Sequence, residues 1–207
     1  MVKGIDVSKW QGKIDFNKVK KSGIEFVIIK AGGSDAGFYT DKYFEENYKN
    51  AVAAGLKVGC YYIPGKYFVG TNNGLADAQK FLEIIKGKKF DYPVYLDIEL
   101  QNPAHIAGIT EAAYAFCEYV ENKKYFIGIY GSEYSTFESL VYKNRLKRFS
   151  FWVANYSKKP QLACAMWQYS SKGKVNGITG NVDMNYSYED FDKIIKKKGL
   201  NGYGKTK

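Results

Sequence analysis

Tyr92-Pro93-Val94-Tyr95-Leu96-Asp97-Ile98-Glu99 is the stretch from which the fold of this chain can be read. Its proline stands at the first position of a strand, where a missing N–H is tolerated. The apolar and aromatic residues that follow do not alternate with polar ones, the pattern of a strand buried on both faces of a parallel sheet. Then come two carboxylates separated by one isoleucine. Residues two apart on a strand share a face, so Asp97 and Glu99 point together, with Cα atoms about 6.5–7 Å apart. Like charges this close at the end of an apolar strand push one pKa up. A protonated acid beside an ionised carboxylate suits glycosidic bond cleavage. Two acids that merely solvate a strand end would leave the same pattern, so the rest of the chain has to decide.

Outward from this stretch, strand and helix signals alternate. On the N-terminal side Gly4-Ile5-Asp6-Val7 reads as a short strand and 15–22 as a short helix ended by Gly23. Phe26-Val27-Ile28-Ile29-Lys30-Ala31 is a buried β-branched strand. A Gly-rich loop leads to a helix that Asp41 can cap, with Phe44, Tyr48, Ala51 and Val52 on one stripe. Residues 57–62 form the next strand and 73–86 the next helix. On the C-terminal side Thr110 begins a helix, Phe126-Ile127-Gly128-Ile129-Tyr130-Gly131 is a strand, and 132–141 is a further helix. The rhythm then changes. Residues 151–156, 165–170 and 181–186 read as strands joined by short loops, and Ser187 with Asp190 opens a last helix over 188–198. Eight strands, the first five separated by helices, predict an α/β fold. It is an irregular TIM-like (β/α) barrel of about five β/α units with a β-rich last third. The domain spans 1–198, and 199–207 read as a linker-like tail.

In such barrels functional groups gather at the C-terminal ends of strands. That rule collects Asp6, Lys30, Tyr61 or Tyr62, Asp97 with Glu99, Tyr130, Asn155 or Tyr156, Gln168 or Tyr169, and Asp183 on one rim. Four carboxylates brought to one rim by separate stretches of chain carry more weight than any single motif.

Composition narrows the function. The net charge of +10 favours an anionic partner. No zinc-finger spacing, RNA-binding sheet signature or helix-turn-helix pattern supports nucleic acid. No segment approaches the roughly 20 apolar residues of a membrane span, and the N-terminus has no apolar signal region. Cys60, Cys117 and Cys164 are an odd, widely spaced set, which argues against a disulfide framework or a metal site. The only histidine, His105, falls in a loop, so a histidine metal site or a Ser-His triad has no basis. Gly32-Gly33 lacks the Gly-Lys-Ser/Thr of a phosphate loop. The expectation is therefore no cofactor and no metal. The 19 tyrosines suit a sugar-binding cleft, where a flat face and a hydroxyl are both useful.

Gly4-Ile5-Asp6-Val7-Ser8-Lys9-Trp10-Gln11-Gly12 resembles the N-terminal signature of the family 25 glycoside hydrolases, the lysozymes found in fungi, bacteria and bacteriophages. Further matching marks follow in the family's order, among them Phe26-Val27-Ile28-Ile29-Lys30-Ala31, Gly59-Cys60-Tyr61-Tyr62, Leu96-Asp97-Ile98-Glu99, Met166-Trp167-Gln168-Tyr169 and Val182-Asp183-Met184-Asn185. The resemblance implies a peptidoglycan hydrolase that cleaves the β-1,4 bond between N-acetylmuramic acid and N-acetylglucosamine. It places Glu99 as general acid, Asp97 as the carboxylate beside it, and Asp6 and Asp183 as further aspartates of the cleft. Tyr62, Tyr130, Trp152 and Gln168 are expected to line the cleft and bind substrate. The chain departs from the family pattern at Gly32-Gly33-Ser34, where many members have Thr-Glu-Gly, and at Ile63-Pro64-Gly65-Lys66.

The implied setting is a monomeric phage endolysin or bacterial autolysin acting on bacterial peptidoglycan. Without a leader it would stay in the host cytoplasm until release, with its positive charge drawing it to anionic wall polymers. Two other readings compete. A non-catalytic wall-binding module would keep the aromatics and the basic charge but needs no paired acids. A chitinase- or glucosaminidase-like barrel also ends a strand in Asp-x-Glu, with more aspartates at alternating positions before it. Here Val94 and Tyr95 occupy that approach.

Overall fold

The structure, a computed structural model, describes residues 1–204. Its strands are β1 (Val2–Val7), β2 (Phe26–Gly33), β3 (Tyr39–Thr40), β4 (Lys57–Ile63), β5 (Val94–Asp97), β6 (Ile127–Ser132), β7 (Ser150–Ala154), β8 (Met166–Gly173) and β9 (Val182–Ser187). The helices are α1 (Phe16–Lys21), α2 (Phe44–Ala53), α3 (Thr71–Ile85), α4 (Ile106–Asn122), α5 (Lys143–Leu146) and α6 (Phe191–Lys198). β1 pairs with both β2 and β9, so the sheet closes into a barrel in the order β1-β2-β4-β5-β6-β7-β8-β9, with β3 a short antiparallel flap on β2. Five β/α units precede the β-rich end, as the alternation predicts.

β9 departs from the expected parallel barrel. It runs antiparallel to both β8 and β1. A parallel crossover takes about a dozen residues or more, and the 174–181 connection is too short for one. The chain turns straight back, so β9 begins at the rim where the other strands end. Asp183, near its start, is thereby paired in register with Asp6 of β1.

β2 and β5 are buried on both faces along their whole length, and position parity decides which residues face the axis. Phe26, Ile28 and Lys30 face inward, whereas Val27, Ile29 and Ala31 pack outward with the helices. The lower barrel is an aromatic plug in which Phe26 stacks on Tyr92 at 4.3 Å and Phe191 and Ile195 of α6 close the end. Gly128 makes room for it, since a Cβ there would lie 2.4 Å from the Tyr95 ring. Outside, α3 and α4 touch through Gly74, where a Cβ would meet the Ala112 carbonyl at 2.2 Å.

Several local expectations give way to tertiary contacts. Within 132–141, where a helix is expected, Ser132 ends β6 and 133–140 are successive turns. Thr136 Oγ1 accepts from Ser132 N and donates to the Ile98 carbonyl, holding this segment to the end of β5. Asp41 does not cap α2, whose N-cap is Tyr43. Its carboxylate accepts instead from Lys9 N and Tyr43 N. Ser187 ends β9, and Asp190 caps α6 by accepting from Lys193 N. Thr110 lies inside α4, which starts four residues earlier at Ile106.

The expected tail is not a linker up to Tyr203. Asn201 is fully buried, accepts from Phe126 N and donates to the Phe90 and Tyr92 carbonyls. Tyr203 donates to Asp91. An asparagine side chain can serve three backbone groups at once, and here it seals the lower rim. Lys205, Thr206 and Lys207 lie outside the described residues. The three cysteines are unpaired, and burial pushes their thiols up. Among the described residues no helix is long and apolar enough to cross a membrane.

Candidate active site

Above the aromatic plug the barrel interior turns polar and opens into a cavity of about 310 Å³. Asp6, Asp35, Asp97, Glu99 and Asp183 line it, with Lys30 as the one cationic side chain among its lining residues. All four carboxylates picked out from the sequence therefore meet in one pocket. Among the described residues no group of three or more His, Cys, Asp or Glu is placed to hold a metal ion.

Asp6 sits at the centre of a hydrogen-bonded clamp. Its Oδ2 accepts from Gln168 Nε2 at 2.9 Å and from Asn185 Nδ2 at 2.8 Å. Each amide is oriented from behind. Tyr130 and Tyr156 donate their hydroxyls to Gln168 Oε1 at 2.8 and 2.7 Å, and Trp152 Nε1 donates to Asn185 Oδ1 at 2.8 Å. With both amide oxygens engaged, both amide nitrogens are turned toward Asp6. The donors favour the carboxylate, but burial and the charge of Asp183 outweigh them and hold the Asp6 pKa well above its usual range. Asp183 is also raised, by burial.

Asp97 ends β5 and is 3% exposed. One of its carboxyl oxygens, Oδ1, is buried without a hydrogen-bond partner. Burial first and then the Glu99 charge drive its pKa well up, with Lys30 opposing. Glu99 lies just past the strand and is exposed to solvent. Burial of its carboxyl still raises its pKa, Lys30 lowers it, and Asp183 adds to the rise. The sequence anticipates one raised acid beside one ordinary carboxylate. The structure raises both, and presses harder on Asp97 because it is the deeper of the two. The pair is set to hold a proton, and only Glu99 presents its side chain to the opening.

The four residues expected to contact substrate are placed differently. Tyr62 faces outward, is fully buried among Phe81 and Phe116, and donates its hydroxyl to Asp77 of α3 at 2.6 Å. Its neighbour Tyr61 has the inward parity and lines the pocket. Trp152 is 1% exposed, with its ring centroid 4.4 Å from that of Tyr130, and Gln168 is 2% exposed. Tyr130, Trp152 and Gln168 thus lie beneath the carboxylates as the second layer of the clamp rather than on the cleft surface. Lys30, collected with the rim residues but given no role there, and Asp35, which the sequence does not single out, also line the pocket. Inward parity with Phe26 and Ile28 was a signal available for Lys30. Trp10 is 80% exposed at the pocket mouth, with the Lys9 ammonium 5.2 Å from the centre of its ring.

Residues 5–178 match the family model of Glycosyl hydrolases family 25. The match ends before Asp183, whose place rests on its register with Asp6. The autolytic lysozyme of Clostridium acetobutylicum is 33% identical over 88% of this chain. This chain spans only 55% of that relative's length. The CTP1L endolysin structure superposes with a TM-score of 0.81 at 30% identity, covering 95% of this chain and 70% of that one. The bacterial lysozyme of Streptomyces coelicolor gives 0.79 at 27% identity and covers 98% of both chains. Matching family model, shared barrel and relatives at this identity agree, and this chain belongs to glycosyl hydrolase family 25.

Proposed function

We propose that this chain is a muramidase that hydrolyses the β-1,4 bond between N-acetylmuramic acid and N-acetylglucosamine in bacterial peptidoglycan. The carrying observation is the pairing of an exposed Glu99 with a buried Asp97 above the Asp6 clamp in a family 25 barrel. Glu99 gives its proton to the leaving glycosidic oxygen as the bond to the anomeric carbon breaks. With the proton on Glu99, the charge that helps raise Asp97 is gone and Lys30 favours its anion, which faces the positive charge that develops, either at the sugar ring directly or by orienting the substrate's own 2-acetamido group. The burial of Asp97 makes its charge effective, because a low local dielectric strengthens the attraction. Water then adds at the anomeric carbon and Glu99 recovers a proton. Asp6 and Asp183, held against each other, tune the pocket's charge from the opposite wall.

The named relatives, an autolytic lysozyme and an endolysin, support a role at the bacterial wall. In this reading the protein acts as a monomeric endolysin, released from the host cytoplasm, and its net charge of +10 draws it to anionic wall polymers. The test is to digest purified peptidoglycan, reduce the soluble products with borohydride and identify the reduced sugar by mass spectrometry. Reduced N-acetylmuramic acid supports the reading. Reduced N-acetylglucosamine would make the chain a glucosaminidase, and binding without products would make it a wall-binding module.

A further inference from the structure

A second recess adjoins the active-site pocket and has no part in the chemistry above. Its cavity, about 200 Å³, opens between the loops that follow β2 and β4. Phe38, Tyr67, Phe68 and Ala76 form its apolar walls, and Asp77 is its only charged lining residue. Phe38 is 56% and Tyr67 77% exposed at the mouth, where the Lys66 ammonium lies 4.9 Å from the centre of the Tyr67 ring. Asp35, next to Ser34 of the recess, and Ile63 at the end of β4 line the active-site pocket, so the recess lies beside that pocket. The two loops are pressed together at Gly65, where a Cβ would lie 2.5 Å from the Ser34 carbonyl oxygen. Ser34 and Gly65 of its lining fall in the two stretches where the sequence departs from the family pattern.

Asp77 is 6% exposed. Tyr62 donates to its Oδ1 at 2.6 Å, and the Ser34 hydroxyl gives it further support. Burial raises the Asp77 pKa, and these two donors oppose the rise without cancelling the charge of the ionised form. Among the described residues no lysine or arginine forms an ion pair with it. An uncompensated anion at an apolar wall favours a cation on an aliphatic arm.

We propose that this recess receives the diamino residue of the peptide stem carried by peptidoglycan. Its aliphatic arm would lie against Phe38, Tyr67 and Phe68, with its ammonium directed at Asp77. The proposal rests on the substrate reading above. Charge selects this occupant over bare glycan, because a fully acetylated strand carries no cation.

The experiment compares three substrates: lysine-type strands with stems, the same strands stripped of stems by an amidase, and stemmed strands with acetylated lysine ε-amines. Wild type should cleave the free-amine strands with kcat/KM about tenfold above the other two, the order of one charge-assisted hydrogen bond. Asp77→Asn, which keeps an acceptor for Tyr62, should lose that advantage and match wild type on the stripped and acetylated strands. If Asp77→Asn fails to fold, the wild-type ratio and the surface variant Phe38→Ala/Tyr67→Ala carry the decision by the same pattern. Equal wild-type rates on all three substrates, or an equal loss on all three in the variants, overturns the proposal alone. No cleavage of any strand overturns the substrate reading and this proposal with it.

Discussion

Replacing Gln168 by leucine tests whether the layer beneath the carboxylates is a clamp. The two side chains are similar in size, so the change removes hydrogen bonds more than volume. Tyr156 is 55% exposed, and its freed hydroxyl can turn to water at little cost. Tyr130 is 9% and Asp6 6% exposed, so each loses a partner that water cannot replace. A buried polar group left unpaired costs about 1–3 kcal/mol, and a charged one more, which puts the loss near 3 kcal/mol after the apolar gain from leucine. For a chain of this size that lowers Tm by about 6–12 °C. Asp6 would also keep its proton to higher pH, since one of the two donors opposing its burial is gone. Calorimetry of Gln168→Leu beside Tyr156→Phe, which should barely move, provides the assay. A Tm for Gln168→Leu within about 2 °C of wild type would refute the clamp.

The remaining predictions concern charge and the lower rim. The Asp97 pKa is raised in the folded chain, so its folded form binds the proton more tightly than the unfolded chain does. The associated stability is present below about pH 3.9 and is lost as pH rises through the folded value. Asp97→Asn should therefore melt at or above wild type at pH 7, with the difference closing toward pH 4, while activity falls. A variant less stable than wild type at pH 7 would count against this. Asn201→Ala orphans Phe126 N–H and the Phe90 and Tyr92 carbonyls, and should cost about 3 kcal/mol by thermal unfolding. An unchanged Tm would return that segment to the status of a tail. Adsorption to teichoic-acid-bearing walls, measured by pelleting, should weaken as salt is raised from about 0.05 to 0.5 M, because screening shortens the reach of the net charge. Salt-independent binding would remove charge as its cause.

Much of the barrel is legible in the sequence because its strands are continuous apolar runs and its helices carry stripes. The same continuity hides the parity. Gly59-Cys60-Tyr61-Tyr62 is buried on both faces, so nothing local says which tyrosine faces the axis. Only the outward partners Asp77, Phe81 and Phe116, distant in sequence, decide it. Asp183 was collected by a rule for parallel strands, yet it reaches the rim because β9 runs the other way. The turns over 133–140 and the packed Asn201 share one cause. In each, a side chain bonds to backbone far along the chain, to Ile98 in one case and to Phe90, Tyr92 and Phe126 in the other, and no local periodicity records that. The meeting of Asp6, Asp97, Glu99 and Asp183 was foreseeable. Their second layer was not, because Trp152 and Gln168 look the same in sequence whether they touch substrate or support what does.

The most direct test of the central claim is the turnover of purified peptidoglycan by Glu99→Gln. Glutamine keeps the shape of the side chain but has no proton to give. The account predicts a fall in kcat of about 10²–10⁴ with pelleting on peptidoglycan unchanged, since general acid catalysis is worth about that much. Soluble products released at close to the wild-type rate would contradict it and take the proton donor away from Glu99.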